Sequence, residues 1–233
     1  MKKWILFSVL SLAAFMLACN DDDSLNPVFI SDSAFETGTD GWAAEFAEYA
    51  TTTDSLTLRM LALRSRLPTG LDTSKYAYLV EASNGSDDMF MYLKKKLTGF
   101  NANQVYNISF EVTIGTNYPE GGIGSGGAPG GAMFLKAGAS GFQPGRTLVD
   151  SVYEFNLDKG VQSEEGVDAV IIGDATNGTP QSTFRLVQKS NAKPFAVKAN
   201  ANGEIWLFVG VDSGYEGINT VYYDRIKALI TAQ

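Results

Sequence analysis

The chain has 233 residues, with 18 basic and 26 acidic side chains and a formal net charge of −8. Such a polyanion lacks the basic clusters that nucleic-acid phosphates require, and its one basic run, Lys94-Lys95-Lys96, reads as an exposed strand end. There is no histidine and one cysteine, Cys19, which excludes Ser–His–Asp and Cys–His catalysis, histidine metal sites and disulfides.

Residues 1–18 have the three parts of a secretory signal. Lys2 and Lys3 form the positive start, Trp4 to Leu17 an apolar run broken by Ser8 and Ser11, and Met16-Leu17-Ala18 leads into Cys19. The run is shorter than the roughly 20 residues of a membrane-spanning helix. The segment resembles a bacterial lipoprotein signal, with Met16 where leucine is commonest, and the resemblance implies that Cys19 carries lipid and becomes the first mature residue. Asn20-Asp21-Asp22-Asp23 resembles the acidic tag by which some Gram-negative bacteria export lipoproteins to the cell surface; a solvated tether is the other reading. The expected organisation is a signal peptide over 1–18, a lipidated cysteine with a polar tether over 19–31, and one domain over 32–233. Loss of Lys2 and Lys3 takes the net charge from −8 to −10. The expected location is the outer membrane, lipid-anchored and facing outward.

Strand signals dominate the remainder of the chain. Leu56 to Leu67 fits either a helix or a strand, and the strand reading is preferred, with a turn at Pro68-Thr69-Gly70. Further strands are expected at Tyr78–Ala82, Met89–Leu93, Val105–Ile114 and Ala132–Ala137. Others come at Leu148–Phe155, Ala169–Ile172, Thr183–Gln188, Phe195–Lys198, Ile205–Val211 and Val221–Ile230. In Val105–Ile114, Tyr106, Ile108, Phe110, Val112 and Ile114 alternate with polar residues, which places one face in a core and one in water. Asn84-Gly85, Asn177-Gly178, Asn202-Gly203 and Ser213-Gly214 punctuate the strands as turns. The fold class is all-β: a jelly-roll-type antiparallel β-sandwich, elaborated with extra strands and long loops.

Asn117 to Gly131 is rich in glycine and proline and contains Gly122-Ile123-Gly124-Ser125-Gly126-Gly127. The spacing fits G-x-G-x-x-G, but a dinucleotide site needs a helix directly after it, and Ala132-Met133-Phe134-Leu135 reads as a strand. A flexible loop at a sheet rim is expected instead.

Asn84-Gly85-Ser86-Asp87-Asp88 places an amide, a hydroxyl and two carboxylates in a turn, and acid-rich turns recur at 156–160, 173–178 and 211–217. Such oxygens suit Ca²⁺, and Asp87 and Asp88 are candidate ligands; Asp and Asn bonding their own turn backbone is the alternative. Asp224 is a third candidate, because alternation puts it on the face of Ile226, Ala228 and Ile230, where a carboxylate needs a cation or donors. Here the chain resembles galactose-binding-like carbohydrate-binding jelly rolls, and Phe35-Glu36-Thr37-Gly38-Thr39-Asp40-Gly41-Trp42 adds to the likeness. The resemblance implies a structural calcium held by the aspartate of the last strand. Ser86-Asp87-Asp88-Met89-Phe90-Met91 and Asp158-Lys159-Gly160-Val161-Gln162 resemble an uncharacterised group of secreted bacterial proteins, which implies no activity.

Saccharides stack on aromatic rings. Trp206, in an all-apolar stretch, reads as core, while Trp42, Tyr118, Phe142 and Tyr215 are the candidate ligand-binding aromatics. The leading functional expectation is a non-catalytic carbohydrate-binding or adhesion module with a glycan ligand. A structural or partner-binding subunit of an outer-membrane complex is the first alternative, and a carboxylate-dependent polysaccharide-degrading enzyme the second.

Overall fold

Alternating apolar and polar residues in many short runs, without disulfides, leave the chain one way to bury enough surface: sheets packed face to face. The computed structural model describes residues 27–85 and 88–233 and consists of fifteen strands and one helical turn among them. The first are β1 (Val28–Ser33), β2 (Ala43–Ala47), β3 (Tyr49–Ala50), the turn α1 (Ser55–Leu58) and β4 (Leu61–Arg66). Then come β5 (Tyr76–Asn84), β6 (Met89–Thr98), β7 (Val105–Thr116), β8 (Met133–Ser140), β9 (Arg146–Val149) and β10 (Val152–Phe155). The chain ends with β11 (Ala169–Asp174), β12 (Arg185–Ser190), β13 (Phe195–Lys198), β14 (Glu204–Ser213) and β15 (Gly217–Ala232).

The first sheet has the order β12-β7-β15-β5-β4, with β1 also paired to β15 and β13 to β7; the second is β11-β8-β14-β6-β2. Every strand pair is antiparallel, which confirms the all-β sandwich. In a small third sheet, β3-β10-β9, the hairpin β9-β10 belongs to the extra chain between β8 and β11. Between the two large sheets, Ile108, Phe110, Val112 and Ile114 of β7 meet Ile205, Leu207, Val209 and Val211 of β14 in one core.

Local chemistry explains where the structure departs from the expected elements. Leu56–Leu67 divides into α1, whose Asp54 carboxylate accepts from Leu56 N at 2.9 Å, and strand β4. Leu148–Phe155 is a hairpin rather than one strand, because Asp150 and Ser151 both take positive φ (45° and 72°), the geometry of a tight two-residue turn. β1 begins at Val28, inside the span read as tether, and its pairing with β15 at Phe29↔Ile230 makes it part of the domain. The lipidation site Cys19 and the signal segment lie outside the described residues.

The second sheet is buried on both faces over part of its length. Its outer face carries Phe90 and Tyr92 of β6 and Phe208 of β14, all fully buried. They are covered by the chain between β8 and β11, whose Phe155 meets the three rings edge-on at 4.9, 4.8 and 5.2 Å. Gly138 makes this possible: a Cβ there would lie 2.1 Å from the Asp168 carbonyl and 2.4 Å from the Phe208 ring. Phe155→Ala is expected to cost about 3 kcal/mol by opening a cavity in this nest, measured by urea unfolding.

Candidate functional site

The outer face of the second sheet is organised in cross-strand rows. Trp206 of β14 lies between Lys96 of β6 and Ser140 of β8; Phe208 lies between Lys94 and Gly138; Gly210 between Tyr92 and Lys136; Asp212 between Phe90 and Phe134. The inserted chain covers the last rows and leaves the Trp206 end open.

At the covered end is a buried ionic centre. Asp212 and Lys136 are fully buried, and Asp212 Oδ2 lies 2.9 Å from both Lys136 Nζ and Lys159 Nζ. Lys136 also donates to the Lys159 and Glu164 carbonyls at 2.8 and 3.0 Å, so its charge is met by oxygens of the inserted chain. Burial pushes the Lys136 ammonium below its ordinary pKa, opposed by Asp212. Beside this centre Glu48, Asp88, Asp158 and Lys159 line a small cleft of about 220 Å³. Glu48, at φ 61°, accepts from Phe155 N at 3.0 Å, and burial raises its pKa.

At the open end Trp206 is half-buried, its ring 5.9 Å from the Lys96 ammonium. Lys96 pairs with Glu204 at 3.1 Å, and Asn200 donates to Glu204 Oε2 at 3.0 Å and to the Gly141 carbonyl at 3.2 Å. Phe142, 77% exposed, comes next in the chain, its N–H bonded to Ser140 Oγ at 3.2 Å. An indole ring, an exposed phenyl and a rim of amide, carboxylate and ammonium groups make a surface suited to a polyhydroxylated ring.

Of the aromatics singled out in the sequence, only Phe142 is at this site. Trp42 is 3% exposed and donates through Nε1 to Ser33 Oγ at 3.1 Å, so it is core. Tyr118 and Tyr215 do meet, ring centroids 6.4 Å apart, but the glycine-rich loop packs onto them. A Cβ on Gly124 would lie 2.7 Å from the Tyr215 ring, and one on Gly130 2.5 Å from Tyr118 Cβ. That loop is tied by Glu216 N to the Ser125 carbonyl at 2.9 Å and Ala175 N to Gly130 at 3.1 Å. Its glycines are there for close approach to two tyrosines. Trp206, read as core, is the residue the sequence reading missed. Its parity with Gly210 and Asp212, opposite to Ile205, Leu207, Val209 and Val211, was the available signal.

Two of the three candidate calcium ligands, Asp88 and Asp224, fall within the described residues and have different surroundings. Asp87 lies outside the described residues. Asp88 acts electrostatically on Glu48 and Lys136, whereas Asp224 has Lys75, Glu36 and Arg225 around it. A β-bulge between Tyr223 and Arg225 removes Asp224 from the core face, which continues through Val221, Tyr223, Ile226, Ala228 and Ile230. Among the described residues no group of three or more acidic side chains is placed to hold a metal. Two of the acid-rich turns, at 156–160 and 173–178, bond their own or neighbouring backbone. Asp158 accepts from Gly160 N and Val167 N at 3.0 and 3.1 Å, and Asp174 from Thr176 N and Oγ1 at 3.0 and 2.6 Å.

No protein-family model matches the chain, and no curated protein matches it. Among solved structures it is similar to the K1 cleaved adhesin domain of Lys-gingipain from Porphyromonas gingivalis W83, at 13% identity over 88% of this chain and 99% of that one, TM-score 0.38. It is similar also to a carbohydrate-binding module with specific mannan recognition, at 11% identity over 89% and 99%, TM-score 0.38. A third is the enzymatically active domain of bacteriophage CBA120 tailspike protein 4, at 11% identity over 81% of this chain, TM-score 0.35, of which this chain spans only 19%. At that level of superposition the likenesses say nothing about which residues here would touch a ligand.

Asp212→Asn is expected to destabilise the protein by about 3–5 kcal/mol, because it strands two lysines under the inserted chain; thermal and urea unfolding would measure it. Burial raises the pKa of Asp224 above 3.8. The folded state therefore binds its proton more tightly than the unfolded one, and stability falls as pH rises through that raised value. Asp224→Asn should accordingly stabilise the protein at pH 7 and lose that advantage near pH 3, read from urea midpoints at the two pH values.

Proposed function

We propose that this chain is a non-catalytic carbohydrate-binding or adhesion module, tethered through lipid on Cys19 to the outer surface of a Gram-negative outer membrane. The observation that carries the reading is the open end of the second sheet's outer face, where Trp206 and Phe142 stand beside Asn200, Glu204 and Lys96. A saccharide ring stacks its C–H face on the indole while its hydroxyls meet the rim. The rest of the face is filled by the protein's own Phe155, so contact is confined to this end and suits a short stretch of glycan. The tether reading is supported by the sequence motif around Cys19 and is tested by mass determination of the lipidated N-terminus.

The outer face of the first sheet favours a second reading, a partner-binding lipoprotein. Leu63, Leu79, Tyr222, Gly115 and Leu186 fall in one cross-strand row, and Leu63 and Leu186 are 40% and 44% exposed.

Glycan-array binding by the purified chain tests the first reading. Trp206→Ala is expected to lower affinity at least about tenfold, and Phe142→Ala several-fold, with unchanged unfolding midpoints. EDTA is expected to make no difference. Absence of binding to any glycan would abandon this reading for the partner-binding one.

A further inference from the structure

A cavity of about 460 Å³ opens at a seam between the two large sheets, within the size range of ligand pockets. Its walls are two strand edges. The pairing of β2 with β6 ends at Ala43↔Lys94, so from Lys95 onward that edge of β6 has no partner strand among the described residues. β1 is paired on one side only, to β15. Between these edges lie Phe29, Ser31, Lys95, Lys96, Thr98 and Phe100, together with Asp32, whose carboxylate is paired to Arg225. Phe29 and Phe100 pack ring to ring at 4.9 Å and form an apolar floor.

Lys95 is out of place by the logic of its strand. Met89, Met91 and Leu93 precede it on the core-facing side of β6, so alternation turns its side chain inward. Its neighbours each have a carboxylate: Lys94 pairs with Glu45 at 2.5 Å and Lys96 with Glu204 at 3.1 Å. Lys95 has none within ion-pair distance among the described residues. Its ammonium donates to Ser33 Oγ at 3.2 Å and lies 5.9 Å from the Trp42 ring, and Asp40 acts on it only through space. A half-buried ammonium without a counter-ion costs stability, and burial already lowers its pKa. Nearby on β1, Ser31 is 8% exposed and its Oγ has no hydrogen-bond partner among the described residues. Two polar groups that the fold leaves incomplete therefore line one cavity.

We propose that this cavity binds the carboxylate of an acidic saccharide, a uronic acid, with Lys95 as counter-ion and the Ser31 hydroxyl as a second donor. The body of the ligand is a sugar rather than an alkyl chain for a physical reason. An alkyl chain would bury Ser31, Thr98 and the unpaired strand edges against hydrocarbon and leave them unsatisfied. Hydroxyls satisfy them, and the C–H face of the ring rests on Phe29 and Phe100. The cavity and the Trp206 surface are joined through Lys96, which lines the first and reaches the second. This inference rests on the glycan-binding reading and makes it specific: a short acidic glycan lies on Trp206 and turns one carboxylate into the seam.

The test is calorimetric titration of the full chain with a galacturonate trisaccharide, its carboxyl-reduced neutral counterpart, and dodecanoate. The wild-type protein is expected to bind the acidic trisaccharide about tenfold more tightly than the neutral one. Lys95→Met should abolish that preference and leave neutral binding intact, Lys95→Arg should keep it, and Ser31→Ala should reduce it two- to threefold. Trp206→Ala should weaken both sugars alike. Equal binding of the two sugars by wild type, or a preference that survives in Lys95→Met, overturns the inference while the glycan-binding reading stands. Failure to bind either sugar overturns both, and dodecanoate binding in their place overturns the saccharide body. Should Lys95→Met fail to fold, the Lys95→Arg and Ser31→Ala pair decides: equal acidic preference in wild type and Ser31→Ala, with none in Lys95→Arg, counts against it.

Discussion

The contact of Asp212 with Lys136 and Lys159 governs what the second sheet can present to solvent. Residues 141–168 cover part of a sheet face whose other side already packs against the first sheet. They are held there because the buried carboxylate on β14 and the buried ammonium on β8, besides pairing with each other, take further partners from this chain: the Lys159 ammonium and two carbonyls. Phe155 then completes an aromatic nest with Phe90, Tyr92 and Phe208. The ionic contact and the ring contacts reinforce each other. Water excluded by the rings strengthens the ion pairs, and the ion pairs fix the chain that carries Phe155.

The consequence is a division of one face into a covered and an open part. β14 contributes Trp206, Phe208, Gly210 and Asp212 to the same side, at two-residue spacing, and only the first emerges from the cover. The proposed ligand surface is thus defined by where the inserted chain stops. The seam cavity has a similar origin in unequal strand lengths. β6 has ten residues and β2 five, and the part of β6 that β2 does not reach, paired only to β14 among the described residues, holds Lys95. Both places are points where regular pairing runs out and polar groups are left for something else to meet.

Several features were readable because they depend on neighbouring residues alone. The alternation in Val105–Ile114 and the turn dipeptides between strands led to an antiparallel sandwich, and self-bonding, one of two readings of the acid-rich turns, holds for Asp158 and Asp174. Trp206 was legible in principle, since Asp212 and Gly210 share its parity, but an unbroken apolar run such as Ile205–Val209 is also what a strand buried on both faces looks like. Half of it is buried on both faces, and the parity alone could not say where the cover ended. Asp224 went the other way. Strict alternation placed it in the core, and a one-residue bulge, which shifts the register without any change in local composition, took it out.

By itself the sequence determined the fold class, the exclusion of histidine and Cys–His chemistry, and most strand positions from Tyr78 onward, because these follow from residue types and a two-residue period. Only the tertiary structure decided which aromatics are open. Trp42 is buried against Ser33, and Tyr118 and Tyr215 are half-buried under Gly130 and Gly124, partners far away in the chain or in a loop without a period. It also decided that Lys95 would stand without a carboxylate while Lys94 and Lys96 found theirs. Charge pairing is set by the residue that arrives from another strand, and three consecutive lysines carry no information about which of them that residue will reach.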